Sequence, residues 1–126
     1  MAKILVIDDE KDFLKLVRDK LVLDGYDVET AADGKEGLDK ARSGEHDLIL
    51  CDIRMPLKDG LEVVKELRSD ASFSTPIIML TAVDEFEKVR EAYSMEANFY
   101  VTKPVKFKEL LKNIRVLLSL SEKRAV

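Results

Sequence analysis

Short apolar runs alternate along the chain with longer segments whose apolar residues recur at helical spacing. The runs predict five strands, at residues 3–8, 26–31, 47–51, 76–80 and 98–101. The segments between and after them predict five helices, at residues 11–24, 34–43, 58–69, 84–94 and 106–120. Strict alternation of helices with strongly apolar strands is typical of α/β proteins. The pattern therefore predicts a parallel sheet with helices on both faces.

Cap residues and apolar stripes support these helices. Asp33 with Glu36, and Asp84 with Glu87, have the spacing of a capping box at a helix start. In the first helix, apolar side chains recur on one face and are expected to pack against the sheet, namely Phe13, Leu14, Val17 and Leu21. His46 is expected on the surface, just before the third strand, with no chemical role.

Length and composition narrow the class of protein. The 126 residues fit one domain, residues 1–126, with a polar tail at 119–126 that is expected to fray. A net charge of −4 argues against direct binding to nucleic acid. The single cysteine cannot form an internal disulfide, which favours a reducing compartment, most simply the cytoplasm. No apolar stretch approaches the roughly 20 residues of a membrane span, and no signal peptide is recognisable.

Polar residues stand where the predicted strands end. Asp8 and Asp9 follow the first strand, Asp52 the third, Thr81 the fourth and Lys103 the fifth. Ligands of open α/β sheets bind beyond the carboxyl ends of the strands, so these five side chains are expected to converge there. Three carboxylates in one place repel each other unless a hard divalent cation and a phosphoryl group join them.

Each candidate residue also has an ordinary interpretation. Asp8 and Asp9 have the chemistry of Mg²⁺ ligands, but adjacent acids also occur in solvated turns and at helix starts. Asp52 is the candidate nucleophile, because an aspartate carboxylate can accept a phosphoryl group, and otherwise a turn residue. Lys103 is either a cation for phosphate or a surface lysine before a loop proline. Thr81 either donates a hydrogen bond to a phosphoryl oxygen or is a common strand residue.

Taken together, these motifs and their spacing resemble the receiver domain of two-component response regulators. The resemblance covers about residues 3–120. It implies a flavodoxin-like fold, a five-stranded parallel sheet in the order 2-1-3-4-5. The motifs are Asp8-Asp9, Asp52 followed by Met55-Pro56 and Asp59-Gly60, Thr81-Ala82, Ala97-Asn98 leading to Tyr100, and Lys103-Pro104.

The resemblance assigns the acids and their partners. Asp52 resembles the phosphoacceptor for a sensor histidine kinase or a histidine phosphotransfer protein. Asp9, Asp52 and the backbone carbonyl of Arg54 resemble direct ligands of Mg²⁺, and Asp8 resembles the acid that binds the metal through water. Lys103 resembles the lysine that contacts the phosphoryl group, with a cis peptide bond between it and the next proline.

The resemblance also implies how the signal leaves the site. Thr81 looks like the switch hydroxyl, and Tyr100 like the aromatic residue that moves inward with it. A downstream protein is then expected on the face formed by the fourth helix, the fifth strand and the fifth helix. Glu96 and Val105 depart from the usual glycine and phenylalanine of the family near that face, so the output partner is less defined than phosphorylation.

The function expected from these observations is a phosphorylation-controlled signalling switch in the cytoplasm rather than an enzyme with an external substrate. Two alternatives remain open. An aspartyl-nucleophile phosphatase or phosphotransferase is one, although Arg54 stands where the haloacid-dehalogenase group has a second aspartate. A pseudo-receiver that binds partners without taking phosphate is the other, against which the complete acid set argues.

Overall fold

The computed structural model describes residues 1–82 and 97–125, with the backbone alone from residue 121. Its strands are β1 (Lys3–Ile7), β2 (Asp27–Ala31), β3 (Leu48–Asp52), β4 (Ile77–Ala82) and β5 (Phe99–Lys103). Its helices are α1 (Lys11–Leu23), α2 (Gly34–Ala41), α3 (Gly60–Arg68) and a C-terminal helix (Phe107–Ala125). All five predicted strands are confirmed, whereas the helix predicted at 84–94 lies outside the described residues.

The strands form one parallel sheet in the order β2-β1-β3-β4-β5, which confirms the predicted α/β architecture. In this order β1 and β3 are neighbours, and Ile7 lies opposite Cys51. The carboxyl ends of the five strands therefore share one edge, and that edge carries the polar residues described above.

Alternate residues of each inner strand enter one of two apolar cores, because successive side chains of a strand point to opposite faces. One core lies between the sheet and helices α2 and α3, and it includes Leu5, Ile7, Ile49, Cys51, Leu61 and Val64. The other lies between the sheet, α1 and the C-terminal helix, and it includes Ile4, Val6, Leu14, Val17, Leu50 and Ile114. Residues of β3 are buried throughout, which explains why its sequence is apolar without alternation.

His46 is buried, and the expectation of a surface position was wrong. Its side chain is 1% exposed, and its Nε2 lies 2.7 Å from Oε1 of Glu29 on the edge strand β2. The hydrogen bond to His46 holds the pKa of Glu29 below its usual range. The carboxylate of Glu29 thus satisfies Nε2 of the buried imidazole, whereas Nδ1 is buried without a hydrogen-bond partner in the described part of the chain.

The C-terminal helix continues to Ala125, beyond the predicted end near residue 120. The fraying of residues 119–126 and the treatment of residues 1–126 as a single unit remain predictions. None of the helices in the described part of the chain is long and apolar enough to cross a bilayer.

Two helices begin with an aspartate cap. Asp33 Oδ1 accepts a hydrogen bond of 2.8 Å from the backbone N–H of Glu36, as its spacing predicts. Asp59 Oδ1 accepts one of 2.9 Å from the N–H of Glu62 at the start of α3. Each cap satisfies a backbone N–H that has no partner within the helix. The second cap predicted from sequence, at Asp84, lies outside the described residues.

We expect Asp33→Ala to lower the free energy of unfolding by about 1 kcal/mol, since it leaves the N–H of Glu36 without its acceptor. Asp33→Ser retains a side-chain oxygen at the same position and is expected to keep most of the stability. Urea denaturation of the three proteins measures both effects. Equal losses in the two variants would show that the cap hydrogen bond is not what Asp33 contributes.

Candidate functional site

Three carboxylates meet at the carboxyl edge of the sheet. Asp8 and Asp9 follow the last residue of β1, and Asp52 is the last residue of β3. Since these two strands are adjacent and parallel, oxygens of all three side chains lie within 4.8 Å of one another. The structure thus brings together the acids that the sequence placed at separate strand ends.

Lys103, the last residue of β5, reaches into this cluster. Its Nζ lies 3.1 Å from Oδ2 of Asp8 and 3.5 Å from Oδ2 of Asp52. The carboxylate of Glu10 is 4.0 Å away on the outer side. The bond between Lys103 and Pro104 is cis, as the family resemblance implied. One ammonium group therefore faces acids from β1 and β3 at once.

The acids differ in their access to solvent. Asp8 is fully buried and Asp52 is 7% exposed, whereas Asp9 is exposed. Burial disfavours the charged form of Asp52 and, together with the charge of Asp8, raises its pKa to about 7 against the opposing effect of Lys103. Burial also disfavours the ammonium of Lys103, but Asp52 and Asp8 outweigh it and raise that pKa. The site thus favours a positive charge beside Asp52.

Backbone contacts fix the end of β3. The N–H of Ile53 donates to the carbonyl of Leu80 on β4 at 3.1 Å, and the N–H of Gly60 donates to the carbonyl of Ile53 at 2.7 Å. A Cβ at Gly60 would lie 2.2 Å from the carbonyl oxygen of Asp52. The loop from β3 to α3 can pass this close to the strand only because residue 60 is glycine. The sequence indicated a loop here but not this packing constraint.

The remaining predicted site residues are Thr81, Arg54 and Tyr100. Thr81 is 1% exposed near the end of β4, and its hydroxyl donates to the carbonyl of Ala82 at 3.1 Å. Arg54 is exposed, two residues after Asp52. Tyr100 is 36% exposed, and its ring stacks on Phe99 with the centroids 6.4 Å apart. The ring of Tyr100 therefore lies on the outer face of β5 rather than in the interior.

Two neighbours of the site were missed by the sequence analysis. Glu10 is the N-cap residue of α1 and lies beside Lys103. Phe13 was assigned to the core from its spacing, and it does pack against the core beneath α1, but its ring centroid is also 4.4 Å from Nζ of Lys103. Their position in the sequence could have identified them. Since α1 begins three residues after Asp8, residues at its start lie near the acids.

The cluster fits a magnesium ion by its chemistry. Mg²⁺ prefers oxygen ligands and is usually held by one or two carboxylates together with water and phosphate oxygens. Asp8, Asp9 and Asp52 supply carboxylate oxygens close enough to share one ion. A divalent cation would also relieve the repulsion that disfavours the ionised form of Asp52.

Comparisons with known proteins agree with this geometry. The response regulator receiver domain family matches residues 4–115. The alkaline phosphatase synthesis transcriptional regulatory protein PhoP of Bacillus subtilis is 44% identical over 121 residues, which cover 95% of this chain and 50% of PhoP. The chain spans about half the length of the curated relatives that it matches first.

Solved structures share the fold over nearly the whole chain. The chemotaxis response regulator CheY4 of Vibrio cholerae is 39% identical with a TM-score of 0.85, covering 93% of this chain and 98% of CheY4. A CheY-like receiver domain protein of Methanospirillum hungatei is 31% identical with a TM-score of 0.92, covering 98% of each chain. These similarities extend from strand β1 to the C-terminal helix.

The raised pKa of Asp52 predicts a pH-dependent stability without metal. The folded-state pKa of about 7 exceeds the value of roughly 3.9 in an unfolded chain, so the stability that protonated Asp52 contributes is present below pH 4 and lost as the pH rises to 7. We expect Asp52→Asn, which cannot ionise, to gain about 1–4 kcal/mol relative to wild type across this interval.

Urea denaturation in EDTA between pH 4 and pH 8 measures this difference. Asp39→Asn, at an exposed position on α2, is the matched control and is expected to follow the wild-type curve. A stability difference between wild type and Asp52→Asn that stays constant with pH would contradict the raised pKa.

Proposed function

The chain belongs to the response regulator receiver domain family, and we propose that it is a phosphorylation-controlled signalling switch whose phosphoacceptor is Asp52. One observation carries the proposal. Asp52 lies at the edge of the sheet beside Asp8 and Asp9, with Nζ of Lys103 within 3.5 Å of both Asp8 and Asp52. A nucleophile, a set of metal ligands and a cation are thereby gathered in one place.

In the proposed reaction, one carboxylate oxygen of Asp52 bonds to the phosphorus of a phosphohistidine while the P–N bond to the imidazole breaks. The donor is a sensor histidine kinase or a histidine phosphotransfer protein. Lys103 then pairs with an oxygen of the transferred group, because its ammonium already faces Asp52 and offers three N–H donors. Phosphoryl transfer depends mainly on positioning and charge stabilisation, which these residues supply.

Mg²⁺ is the proposed cofactor of this reaction. Asp9, Asp52 and the backbone carbonyl of Arg54 would hold it directly, and buried Asp8 through water. When bound, the ion neutralises charge on the acids and on the phosphoryl oxygens. Asp8 is held for this role on both sides, since its Oδ1 accepts the N–H of Glu10 at 2.9 Å and its Oδ2 faces Lys103.

The conformational part of the switch involves Thr81 and Tyr100. The Thr81 hydroxyl, now bonded to the carbonyl of Ala82, would turn to the phosphoryl group, and Tyr100 would move inward from its exposed position. In the present structure the outward ring of Tyr100 lines a groove of about 670 Å³ between β5 and the C-terminal helix. Phe99 and Lys106 are among the other residues that line it. Movement of Tyr100 would reshape this groove, which forms part of the face proposed for the downstream protein.

This role makes the protein a phosphoacceptor that assists its own phosphorylation and dephosphorylation rather than an enzyme with an external substrate. The cytoplasmic location and the lack of direct contact with nucleic acid belong to the same proposal. PhoP is named as a transcriptional regulatory protein and is about twice as long as this chain.

We expect acetyl phosphate with Mg²⁺ to label wild type on Asp52 and to leave Asp52→Asn without detectable label, because an amide cannot form the acyl phosphate. Asp39→Asn is the control and should label like wild type, since its side chain is exposed on α2. Intact-protein mass spectrometry and hydroxylamine sensitivity identify the product. Full labelling of Asp52→Asn would contradict the assignment, and turnover of an external phosphoester would favour the phosphatase alternative.

We expect Mg²⁺ to raise the midpoint of thermal unfolding in wild type, because a ligand that binds only the folded state stabilises it. Asp9→Asn removes one carboxylate from the cluster and should reduce this increase strongly. Asp12→Asn, an exposed acid in the first turn of α1, is the matched control and should retain it. Equal responses from the two variants would show that the ion binds elsewhere.

A further inference from the structure

We propose that Phe13 is a positioning residue for Lys103, and that its aromatic ring holds the ammonium group over the acid cluster. The inference rests on the proposed function, because Lys103 matters to the reaction only if Asp52 accepts a phosphoryl group. Phe13 then serves both the core beneath α1 and the acid cluster.

The ammonium group of Lys103 contacts both carboxylates and an aromatic ring. Its Nζ lies 3.1 Å from Asp8 and 3.5 Å from Asp52, with Glu10 at 4.0 Å. The same atom lies over the ring of Phe13, 4.4 Å from its centroid, well within the range of about 6 Å at which a cation is attracted to an aromatic face. The side chain of Lys103 is 22% exposed, so the contact is largely shielded from water.

The ring and the acids are fixed to each other by the start of α1. The N–H of Glu10 donates to Oδ1 of Asp8 at 2.9 Å, and the N–H of Leu14 donates to the carbonyl of Glu10 at 2.9 Å. Phe13 is one residue before Leu14 and packs against the core beneath α1. The ring therefore keeps a defined position relative to Asp8, and Nζ of Lys103 contacts both groups.

The acids alone do not secure this position when a metal is present. A divalent cation held directly by Asp52 and through water by Asp8 would compete with Lys103 for these carboxylates and would also repel its ammonium. The ring face attracts Lys103 without supplying a metal ligand, so its contribution persists as the charge on the acids is neutralised. Phe13 is thus expected to matter most in the metal-loaded protein.

Two other cation–ring contacts in the described part of the chain lie outside the acid cluster. Lys20 is 5.8 Å from the ring centroid of Phe107, and Arg68 is 5.8 Å from that of Phe73. Phe73 is also a partly buried ring that packs against a core, the one beneath α2 and α3. It therefore provides a matched control for loss of an aromatic ring.

We expect Phe13→Leu to label with acetyl phosphate at saturating Mg²⁺ roughly two- to thirty-fold more slowly than wild type, the range that corresponds to a typical cation–π attraction. Phe13→Trp, which retains an aromatic face, should recover most of the rate. Phe73→Leu should label like wild type. Urea denaturation of each variant separates this effect from a general loss of stability.

Progressive fluorination of the Phe13 ring is the sharper form of the test. Fluorine withdraws electrons from the ring face but leaves its shape nearly unchanged, so the labelling rate should fall with each added fluorine in proteins that remain fully folded at the assay temperature. Rates that do not depend on fluorination, or a Phe13→Leu protein that labels at the wild-type rate, would overturn the proposal.

A second measurement does not depend on phosphorylation. A ring at this distance shifts the proton resonances of the Lys103 methylene next to Nζ upfield, and the shift should disappear in Phe13→Leu with and without Mg²⁺. Resonances at ordinary positions in wild type would refute the contact. If wild type shows the upfield shift but takes no label, the proposed function fails and the contact stands.

Discussion

The structure depends on the burial of a carboxylate beside another carboxylate at the edge of the sheet. Asp8 and Asp52 are both nearly inaccessible to solvent, and their oxygens share a small space with those of Asp9. Such an arrangement is unfavourable without a positive charge, and Lys103 supplies one. Burial, followed by the charge of Asp8, raises the pKa of Asp52 even with this ammonium group close by.

The strand order makes this cluster possible. Because β1 and β3 are neighbours, Asp8 and Asp52 meet directly, whereas Lys103 belongs to β5 at the far edge of the sheet. Strands about 4.8 Å apart put β5 roughly 14 Å from β1, too far for a short side chain to bridge. A lysine at the end of β5 reaches Asp8 because its stem is long and the acids lie beyond the strand ends. One long, flexible side chain thus links the end of β5 to the acids at the ends of β1 and β3.

The sequence predicts those features of the site that depend on where the strands end. The apolar runs located β1, β3, β4 and β5, and the ends of parallel strands must share an edge, so the convergence of the acids with Lys103 followed from pattern alone. Contacts between residues distant in sequence did not follow. Periodicity gave Phe13 a core position without revealing the ammonium above its ring. It could not show that Glu29 lies where it can pair with buried His46. Both contacts depend on side-chain directions that are set only when helices and strands pack.

The orientation of the Tyr100 ring could not be predicted from the sequence, for a different reason. A residue of an edge strand has two available environments, and the pattern of β5 does not choose between them, since its residues are half-buried or exposed. The structure shows the outward ring stacked on Phe99. The proposed switch requires that an outward and an inward position of Tyr100 be similar in energy, so that a charge added at Asp52 could decide between them.

The raised pKa of Asp52 gives the site a further property. Burial, and then the charge of Asp8, raise the pKa of Asp52 to about 7, and the ammonium of Lys103 opposes this rise only in part. An additional positive charge beside Asp8 and Asp9 would lower the pKa of Asp52 and complete its ionisation. In the proposed reaction, a cation bound there would therefore favour the ionised form of Asp52, which is the form that can accept a phosphoryl group.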